Sequence, residues 1–387
     1  MRLSVLTYRA DYGAFATVAR NLAKGLAEAG VDVDVLYIAG PASGDVRDYP
    51  ERVRLVRLGG RARTCWLTVA RHLRERRPNG LISLGWLLNP AAVVAVALAR
   101  TRTPLILNEA SLLSYNTRVV HRHQLNLRIL GGLARLLYPR ADAVTGVSAP
   151  VIADLEHEIG LNPLRVSMHV IPNAVDAKEV VRLSLIPDDA AVRTHTEPVF
   201  VNVARHAREK NLPLLLRAFH RYLCEGGSGT LVLVGEGPDT DKLQALVSDL
   251  GLDASVAFRG FLANPFPQVA ASTAFFLCSE QEGFGLALVE AMALGVPVIS
   301  TDCPGGPREI LCDGAAGLLV PAGDERALVE AMRRIATDPA LRHALASAGA
   351  ERAKDFTSSV VARAWLDLFH NVTAFVDAPK GGPTCRT

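Results

Sequence analysis

The segment TAFFLCSEQEGFGLALVEAMALGVPVIST, residues 273–301, contains one complete strand–helix–strand unit and decides the fold class. Its beginning, Thr273–Ser279, is an apolar run typical of a buried strand, and a Gly-Phe-Gly turn follows. The helical pattern that begins at about Leu286 ends at Gly295, a residue type that commonly follows a helix. A second apolar run, Val296–Thr301, comes directly afterwards. Two buried strands joined by one helix predict a parallel βαβ unit.

The same alternation extends along the whole chain. In the front half, strand-like runs such as Arg2–Tyr8, Val31–Ile38 and Asp142–Ser148 alternate with helical patterns, and a second series begins at about Pro198. This order predicts parallel sheets with helices on both faces. We therefore predict an α/β chain of two doubly wound, Rossmann-like domains facing an interdomain cleft, because such sheets bind ligands beyond the carboxyl ends of their strands.

We predict domain boundaries at 1–175 and 176–355. Residues 356–387 are predicted to form a C-terminal helix that packs back on the N-terminal domain, followed by a flexible tail.

The composition is that of a well-packed globular protein. The 387 residues are 49% hydrophobic and 21% charged, which excludes a disordered chain. The membrane-like stretch Leu81–Ala99 is interrupted by Asn89-Pro90, so we predict a buried strand at Leu81–Leu84 and a core helix from about Pro90. The six cysteines lack paired or metal-type spacing. Without a visible secretion signal, we expect reduced thiols and a cytoplasmic location.

Basic residues are concentrated in the front half. Residues 1–172 carry 22 Lys and Arg against 13 Asp and Glu, whereas the remainder carries 20 against 26. This asymmetry fits either solvated helix faces or an anionic surface or ligand near the first domain. We expect no nucleic-acid partner.

Two glutamates, Glu282 and Glu290, lie eight residues apart across the Gly-Phe-Gly turn. Glu282 falls in the loop at the carboxyl edge of the predicted sheet, and Glu290 lies about one turn inside the next helix. Exposed amides at a helix start favour an anion, and carboxylates accept hydrogen bonds from hydroxyls. One carboxylate near a hexose and the other near a ribose would bracket a sugar nucleotide.

The segment VARHAREKN, residues 203–211, supplies the positive charge that a diphosphate requires. Arg205 lies at the end of a predicted strand, and Lys210 lies just before a helix for which Asn211 is the predicted N-cap and Pro213 fits the first turn. Such cations can stabilise a diphosphate leaving group without a metal.

Together these motifs resemble a known family. The run EGFGLALVEAMALGVPVISTDCPGGPREIL (282–311), with VARHAREKN and LVGEGPDTDKLQALVSDLGLDASVAFRGF (233–261) upstream, resembles the C-terminal donor domain of retaining glycosyltransferases of family four, which have the GT-B fold. The spacing of the glutamates alone occurs by chance, but the surrounding G-F-G-L and A-M-A-x-G-x-P-V-I make it specific. The resemblance is strong over about residues 198–325. In the front half it is weaker, where LYPRADAVTGVSAPVIADL and HVIPNAVD also match.

The resemblance implies a role for each of these residues, with the acceptor bound by the first domain and the nucleotide sugar by the second. Glu282 would contact the donor hexose, and Arg205 and Lys210 would grip the pyrophosphate; these three form the catalytic set. Glu290 would hold the ribose hydroxyls. The backbone would supply further donor contacts, to phosphate, sugar and uracil, from Phe284, Gly285, Leu286, Phe261 and Leu262.

Two departures from the family pattern concern the first domain. The family often has a double-glycine loop after the first strand, whereas YRADYGAFA keeps only Gly13, which we assign to donor binding. Members often place a histidine in the strand-end loop near the reacting carbon. Here that loop reads LNEASLLS, and Glu109 occupies the approximate place. His121 and His123 lie nearby in a basic, helical pattern typical of surface residues.

A D-x-D motif would indicate a metal-bound diphosphate. The instance Asp32-Val33-Asp34 lies inside a predicted strand with both carboxylates on one face, which favours a structural role. We therefore expect no metal and no cofactor, with the UDP-sugar as co-substrate.

The resemblance implies a retaining hexosyltransferase that moves a hexose or amino-hexose from a UDP-sugar to an acceptor hydroxyl. Two other functions fit the sequence less well. A sugar-nucleotide epimerase of the same fold would need additional acid–base residues near the donor. A nucleotide-binding scaffold would leave the two carboxylates and the Arg/Lys pair unexplained.

Two kinds of acceptor fit the sequence. A small, polar, soluble aminocyclitol would place the chain among the aminoglycoside-antibiotic glycosyltransferases, which resemble it in length and donor motifs, and Glu109 and Asp11 at strand ends could meet such a cation. A lipid-linked or lipopolysaccharide glycan fits the motif DCPGGPREIL and the basic front half. Membrane association is not favoured, because Trp66, Val69 and Leu73 have core-facing helical spacing without an extra hydrophobic residue. The sequence alone favours the small soluble acceptor.

Overall fold

The computed structural model describes residues 1–41, 49–120, 124–188, 191 and 197–377. The chain divides into two units. One comprises Met1–Gly146, Ile152–Ile171 and the chain from Ser358 onward, and the other comprises Val147–Val151 and Pro172–Thr357. His121, His123 and the predicted tail 378–387 lie outside the described residues.

The first unit is built on a sheet of seven described strands. In chain order its elements up to β7 are β1 Arg2–Arg9, α1 Ala14–Glu28, β2 Asp32–Ala39, β3 Val53–Arg57, α2 Trp66–Arg76, β4 Gly80–Leu84, α3 Asn89–Ala99, β5 Leu105–Glu109, α4 Leu113–Tyr115, α5 Leu125–Leu137, β6 Ala143–Gly146 and β7 Ser167–Val170. Between β6 and β7 lies α6 Ala149–Ala153, which begins in the segment Val147–Val151 of the second unit. All neighbouring strands are parallel, in the order β3-β2-β1-β4-β5-β6-β7. The order reverses between β1 and β4.

The second unit repeats this architecture with six described strands. Its elements are α7 Ala177–Ser184, β8 Val199–Val203, α8 Leu212–Cys224, β9 Thr230–Val234, α9 Thr240–Asp249, β10 Val256–Gly260, α10 Phe266–Ala270, β11 Ala274–Leu277, α11 Leu286–Ala293, β12 Val298–Asp302, α12 Pro307–Ile310, β13 Leu318–Pro321, α13 Glu325–Thr337 and α14 Pro339–Ala353. The parallel strands lie in the order β10-β9-β8-β11-β12-β13. The reversal here falls between β8 and β11.

The final helix, α15 (Ser358–Asp377), belongs to the first unit and packs against α1. Gly25 of α1 allows this approach, because a Cβ there would lie only 2.2 Å from the carbonyl oxygen of Ser358. The chain therefore returns to its first unit at its end.

Each sheet carries its own apolar core, and every residue of the central strands β4, β5 and β6 is buried. Strands covered on both faces lose the polar alternation of half-exposed strands, which is why these runs are almost continuously apolar. The interrupted stretch Leu81–Ala99 forms most of β4 and α3, as predicted. Among the described residues, no helix is both long and apolar enough to cross a membrane. The prediction of two doubly wound, Rossmann-like α/β domains is confirmed.

Candidate active site

The candidate site lies where the strand order of the second sheet reverses, between β8 and β11. Segments that leave the carboxyl ends of β8 and β11 flank this point, where doubly wound sheets bind their ligands. The segment after β8 carries Lys210, and the segment after β11 carries Glu282. The structure brings these two side chains together, since Lys210 Nζ donates a hydrogen bond to Glu282 Oε1 at 2.5 Å.

Glu282 is a buried carboxylate with two donors on the same oxygen. Besides Lys210, the hydroxyl of Ser279 donates to Oε1 at 2.8 Å, and only 8% of Glu282 is exposed. Burying a carboxylate costs free energy unless it is paired and hydrogen-bonded; both conditions hold here. Burial, assisted by the nearby negative charge of Glu282, raises the pKa of Cys303 to about 12. The neighbouring thiol therefore stays protonated.

Lys210 is positioned by a short turn rather than by a side-chain cap. It ends a 3-10 turn, Arg208–Lys210, and Asn211 then adopts a left-handed conformation with φ 46° before α8 begins. Asn211 occupies the predicted N-cap position of α8 and Pro213 lies in the first turn, but the Asn211 side chain makes no capping hydrogen bond.

Arg205 pairs with Glu209 rather than with Glu282. Its exposed guanidinium donates to Glu209 Oε1 at 3.0 Å. Of the three predicted catalytic residues, the structure therefore brings together Lys210 and Glu282, and it places Arg205 after the same strand as Lys210.

The start of α11 follows the predicted turn. Gly285 has φ +111°, a conformation that favours glycine, and Leu286 is the first helical residue. The Phe284 side chain is buried and packs edge-on against Phe356, with ring centroids 5.4 Å apart. A donor contact of Phe284 would therefore have to use its backbone, in line with the prediction. Glu290 lies within α11 and is partly buried.

The predicted uracil contacts lie where β9 and β10 end. Phe261 follows β10 and is 61% exposed, and its backbone N–H donates to Glu236 Oε1 at 3.2 Å. Leu262 comes next and is partly buried. The N–H of Gly235 donates to the carbonyl of Gly260 at 2.8 Å, which holds these two strand ends side by side.

His206, the residue after Arg205, is not among the predicted site residues. It is buried, its Nδ1 lies 3.0 Å from the hydroxyl of Thr240, and its Nε2 has no partner in the described structure. Burial lowers the pKa of His206, so the ring is neutral near pH 7. Its place inside VARHAREKN is the available signal, because Arg205 and Lys210 of the same segment are predicted site residues.

Two predicted contact residues of the first unit follow β1. Gly13 occupies the N-cap position of α1 with φ +87°, and open space surrounds the place of a Cβ. Arg9 donates to both carboxylate oxygens of Asp11, at 2.9 and 2.7 Å. The charge of Asp11 is thus already compensated, which weighs against its predicted contact with a cationic acceptor. The assignments of Gly13 and Asp11 stay predictions.

Glu109, the last residue of β5, has no exposed surface. Its Oε1 accepts hydrogen bonds from Asn89 Nδ2 at 2.8 Å and from the Tyr138 hydroxyl, while Oε2 has no described partner. Burial raises the pKa of Glu109 to about 8, so the carboxyl is mostly neutral at pH 7. The geometry does not fit the predicted direct contact with a cationic acceptor, because both accessibility and negative charge are missing.

The D-x-D carboxylates of β2 have separate surroundings. Asp34 is buried beside Arg54, at 2.9 Å, and His72, at 3.5 Å, whereas Asp32 is exposed. No three His, Cys, Asp or Glu side chains among the described residues are arranged to hold a metal ion. The predicted independence from metal remains a prediction.

Comparison with known proteins identifies the family. Residues 188–352 match the family described as Glycosyl transferases group 1, and residues 15–179 match Glycosyltransferase Family 4. Over 262 residues the chain is 30% identical to N-acetylgalactosamine-N,N'-diacetylbacillosaminyl-diphospho-undecaprenol 4-alpha-N-acetylgalactosaminyltransferase of Campylobacter jejuni, with 68% of each chain covered.

Two further comparisons concern a second relative and a solved structure. The chain is 30% identical over 236 residues to the lipopolysaccharide core biosynthesis glycosyltransferase LpsE of Rhizobium meliloti. The match covers 60% of this chain and 66% of LpsE. The structure of Anabaena HepE in complex with UDP-glucose matches with a TM-score of 0.78 at 20% identity, covering 96% of this chain and 100% of HepE. The chain thus belongs to the group 1, family 4 glycosyltransferases, and its two parallel-sheet domains have the GT-B fold.

Proposed function

We propose that this glycosyltransferase moves a hexose or amino-hexose from a UDP-sugar, with retention of configuration, to a lipid-linked or lipopolysaccharide glycan. The observation that carries the donor half is the Lys210–Glu282 pair at the strand-order reversal of the second sheet. A carboxylate and an ammonium at one point suit a ligand with hydroxyls next to a diphosphate.

Donor binding would redistribute the bonds of this pair. The Lys210 ammonium would turn from Glu282 to the diphosphate, joined by Arg205, and Glu282 would accept hydrogen bonds from the hydroxyls of the sugar. Fixed positive charge beside a departing UDP stabilises the negative charge that develops there. The same cations therefore serve both binding and departure, and the proposal requires no metal.

The α11 start and the strand ends around it suit the rest of the donor. The first amides of a helix lack intrahelical acceptors and favour anions, which supports contacts from Phe284, Gly285 and Leu286 to the diphosphate. Glu290 would accept hydrogen bonds from the ribose hydroxyls. The backbone at Phe261-Leu262 would meet the uracil, and the UDP-glucose complex of HepE supports this choice of nucleotide.

The names of the relatives favour an envelope acceptor over the small aminocyclitol that the sequence alone favoured. The Campylobacter enzyme is named for a diphospho-undecaprenol glycan and the Rhizobium enzyme for lipopolysaccharide core. We therefore propose the lipid-linked or lipopolysaccharide glycan as the acceptor class, and retain the aminocyclitol as the competing outcome of the test.

A surface of the first unit, on α2 and α3, has features of a surface that binds anionic lipid. On α2, Val69 and Leu73 are buried as predicted, but Leu67 is 60% exposed, so the prediction of no extra hydrophobic residue is wrong. Leu67 is followed one turn later by exposed Arg71. Arg74 on the same helix donates to the carbonyl of Leu98, a 40% exposed residue of α3. Basic side chains interleaved with exposed apolar ones favour an anionic interface.

The test is UDP release by the full chain from UDP-hexoses and UDP-N-acetylhexosamines in the presence of EDTA. Parallel reactions receive a polyprenyl-diphosphate-linked glycan, lipopolysaccharide core or 2-deoxystreptamine-type aminocyclitols. We expect UDP release with the first or second acceptor and an axial anomeric product by NMR. Turnover confined to the aminocyclitols would overturn the acceptor proposal, and no release with any pair would overturn the proposed function.

A further inference from the structure

We infer that Ser148 is a positioning residue for the loop Glu282-Gly283-Phe284, an inference that rests on the proposed function of that loop. Ser148 follows β6 but belongs to the short segment Val147–Val151 of the second unit. Its hydroxyl donates to the carbonyl oxygen of Gly283 at 2.8 Å, and only 1% of the residue is exposed. The bond joins residues 135 positions apart.

The loop is fixed on its other side by the Pro304-Gly305-Gly306 segment. The N–H of Glu282 donates to the carbonyl of Pro304 at 3.0 Å. A Cβ on Gly305 would lie 1.4 Å from the carbonyl oxygen of Glu282, and one on Gly306 would lie 2.3 Å from that of Phe284. The middle carbonyl, that of Gly283, is the one Ser148 holds.

Holding the Gly283 carbonyl also directs the Phe284 amide. The two groups belong to one planar trans peptide, in which C=O and N–H point in opposite directions. A donor on the carbonyl therefore aims the Phe284 N–H away from Ser148. Hydrogen bonding at the carbonyl also polarises the peptide and strengthens the N–H as a donor. Phe284 N–H is one of the groups proposed to meet the diphosphate.

Ser148 is itself anchored through a closed circuit of contacts. The N–H of the next residue, Ala149, donates to Glu309 Oε1 at 2.9 Å. The Glu309 carbonyl accepts from Arg352 at 2.9 Å, and the Arg352 guanidinium lies 4.6 Å from the centre of the Phe356 ring. Phe356 packs against Phe284, which returns the circuit to the loop. Such a circuit resists rotation of the Gly283–Phe284 peptide.

The test compares Ser148→Ala, Ser148→Thr and the control Ser272→Ala. Ser272 also donates to a carbonyl, that of Gln268 at 2.7 Å, but it precedes β11 and so lies at the opposite end of that strand from Glu282. Titrations measure the affinities for UDP and for uridine, which lacks the phosphates. Turnover of the UDP-sugar gives kcat and KM separately, and thermal unfolding reports stability.

We expect Ser148→Ala to weaken UDP binding and to lower kcat, each by roughly three- to tenfold, the effect of one hydrogen bond. Uridine affinity should stay unchanged, and Ser148→Thr should restore the UDP affinity because it keeps the hydroxyl. Ser272→Ala should leave the affinities for UDP and for uridine unchanged. Unchanged UDP affinity in Ser148→Ala, or equal loss of UDP and uridine affinity, would overturn the inference.

The UDP titration needs no acceptor, so the positioning role of Ser148 and the proposed function can be contradicted independently of each other. A wild-type chain that binds UDP but transfers no sugar would contradict the proposed function alone. An active wild type with Ser148→Ala indistinguishable from Ser272→Ala would contradict the positioning role alone.

Discussion

Two buried glutamates, Glu109 at the end of a strand in the first sheet and Glu282 beyond a strand in the second, have different electrostatic surroundings. Glu282 of the second unit pairs with the Lys210 ammonium at 2.5 Å and with a serine hydroxyl. Glu109 of the first unit has the neutral partners Asn89 and Tyr138, and burial raises its pKa to about 8. A buried carboxyl group thus has a charged partner in one unit and only neutral partners in the other. The partner decides which glutamate can recognise hydroxyls next to a diphosphate.

The largest expected effect comes from breaking the charged pair. Lys210→Met should lower kcat by roughly 100- to 1,000-fold, because it removes a charge that would stabilise departing UDP. Steady-state UDP release measures the effect. Lys242→Met is the matched control, since it removes an exposed lysine that pairs with Asp239. Loss of less than tenfold in Lys210→Met would contradict a catalytic role for that lysine.

A third glutamate separates sugar recognition from nucleotide recognition. Glu290→Gln should weaken UDP and UDP-sugar together, by about tenfold or more, because both contain the ribose and a hydrogen bond to a charged group is stronger than a neutral one. Glu282→Gln should impair turnover while leaving UDP affinity nearly unchanged. Calorimetric titration with UDP measures both variants, and equal losses of UDP affinity would contradict the division of roles.

The raised pKa of Glu109 should make the free energy of unfolding depend on pH. Because the folded-state pKa of Glu109 lies above its unfolded value, the native chain binds the extra proton between about pH 4.5 and pH 8. The free energy of unfolding should therefore fall as pH rises through this window, by up to about 1.4 kcal/mol per pH unit. Glu109→Gln lacks the titrating group, so this slope should disappear.

Urea unfolding of the wild type and Glu109→Gln from pH 5 to 8.5 measures the difference. Glu179→Gln, which removes a surface partner of Arg182, is the control and should keep the wild-type slope. Parallel curves for the wild type and Glu109→Gln would show that Glu109 is ionised in the folded chain.

The smallest effect is expected at Asp11. Its partly exposed pair with Arg9 should contribute less than about 1 kcal/mol, so Asp11→Asn should change the midpoint of urea unfolding little. Turnover on a lipid-linked acceptor should also stay within about twofold of wild type. A selective rise in KM for an aminocyclitol would instead support the contact with a cationic acceptor and revive that acceptor class.

Much of the fold follows from local pattern. The beginning of α11 at Leu286, the division of Leu81–Ala99 into a strand and a helix, and the two-domain organisation were all predicted from apolar runs and glycine positions. Residue preference also predicts the N-cap position of Asn211 correctly, but it does not predict how that position is formed. The left-handed backbone at Asn211 ends the preceding turn, and no capping hydrogen bond forms.

The sequence by itself determined the parallel sheets and the segments that leave the carboxyl ends of their strands. Those features depend on periodicity and on turn residues that act over a few positions. Only the tertiary structure decided that Lys210 meets Glu282, that Ser148 holds Gly283, and that Glu109 is sealed among neutral partners. These contacts join residues 72, 135 and 20 or more positions apart. The order and register of the parallel strands set them, and no local pattern encodes which strand ends become neighbours.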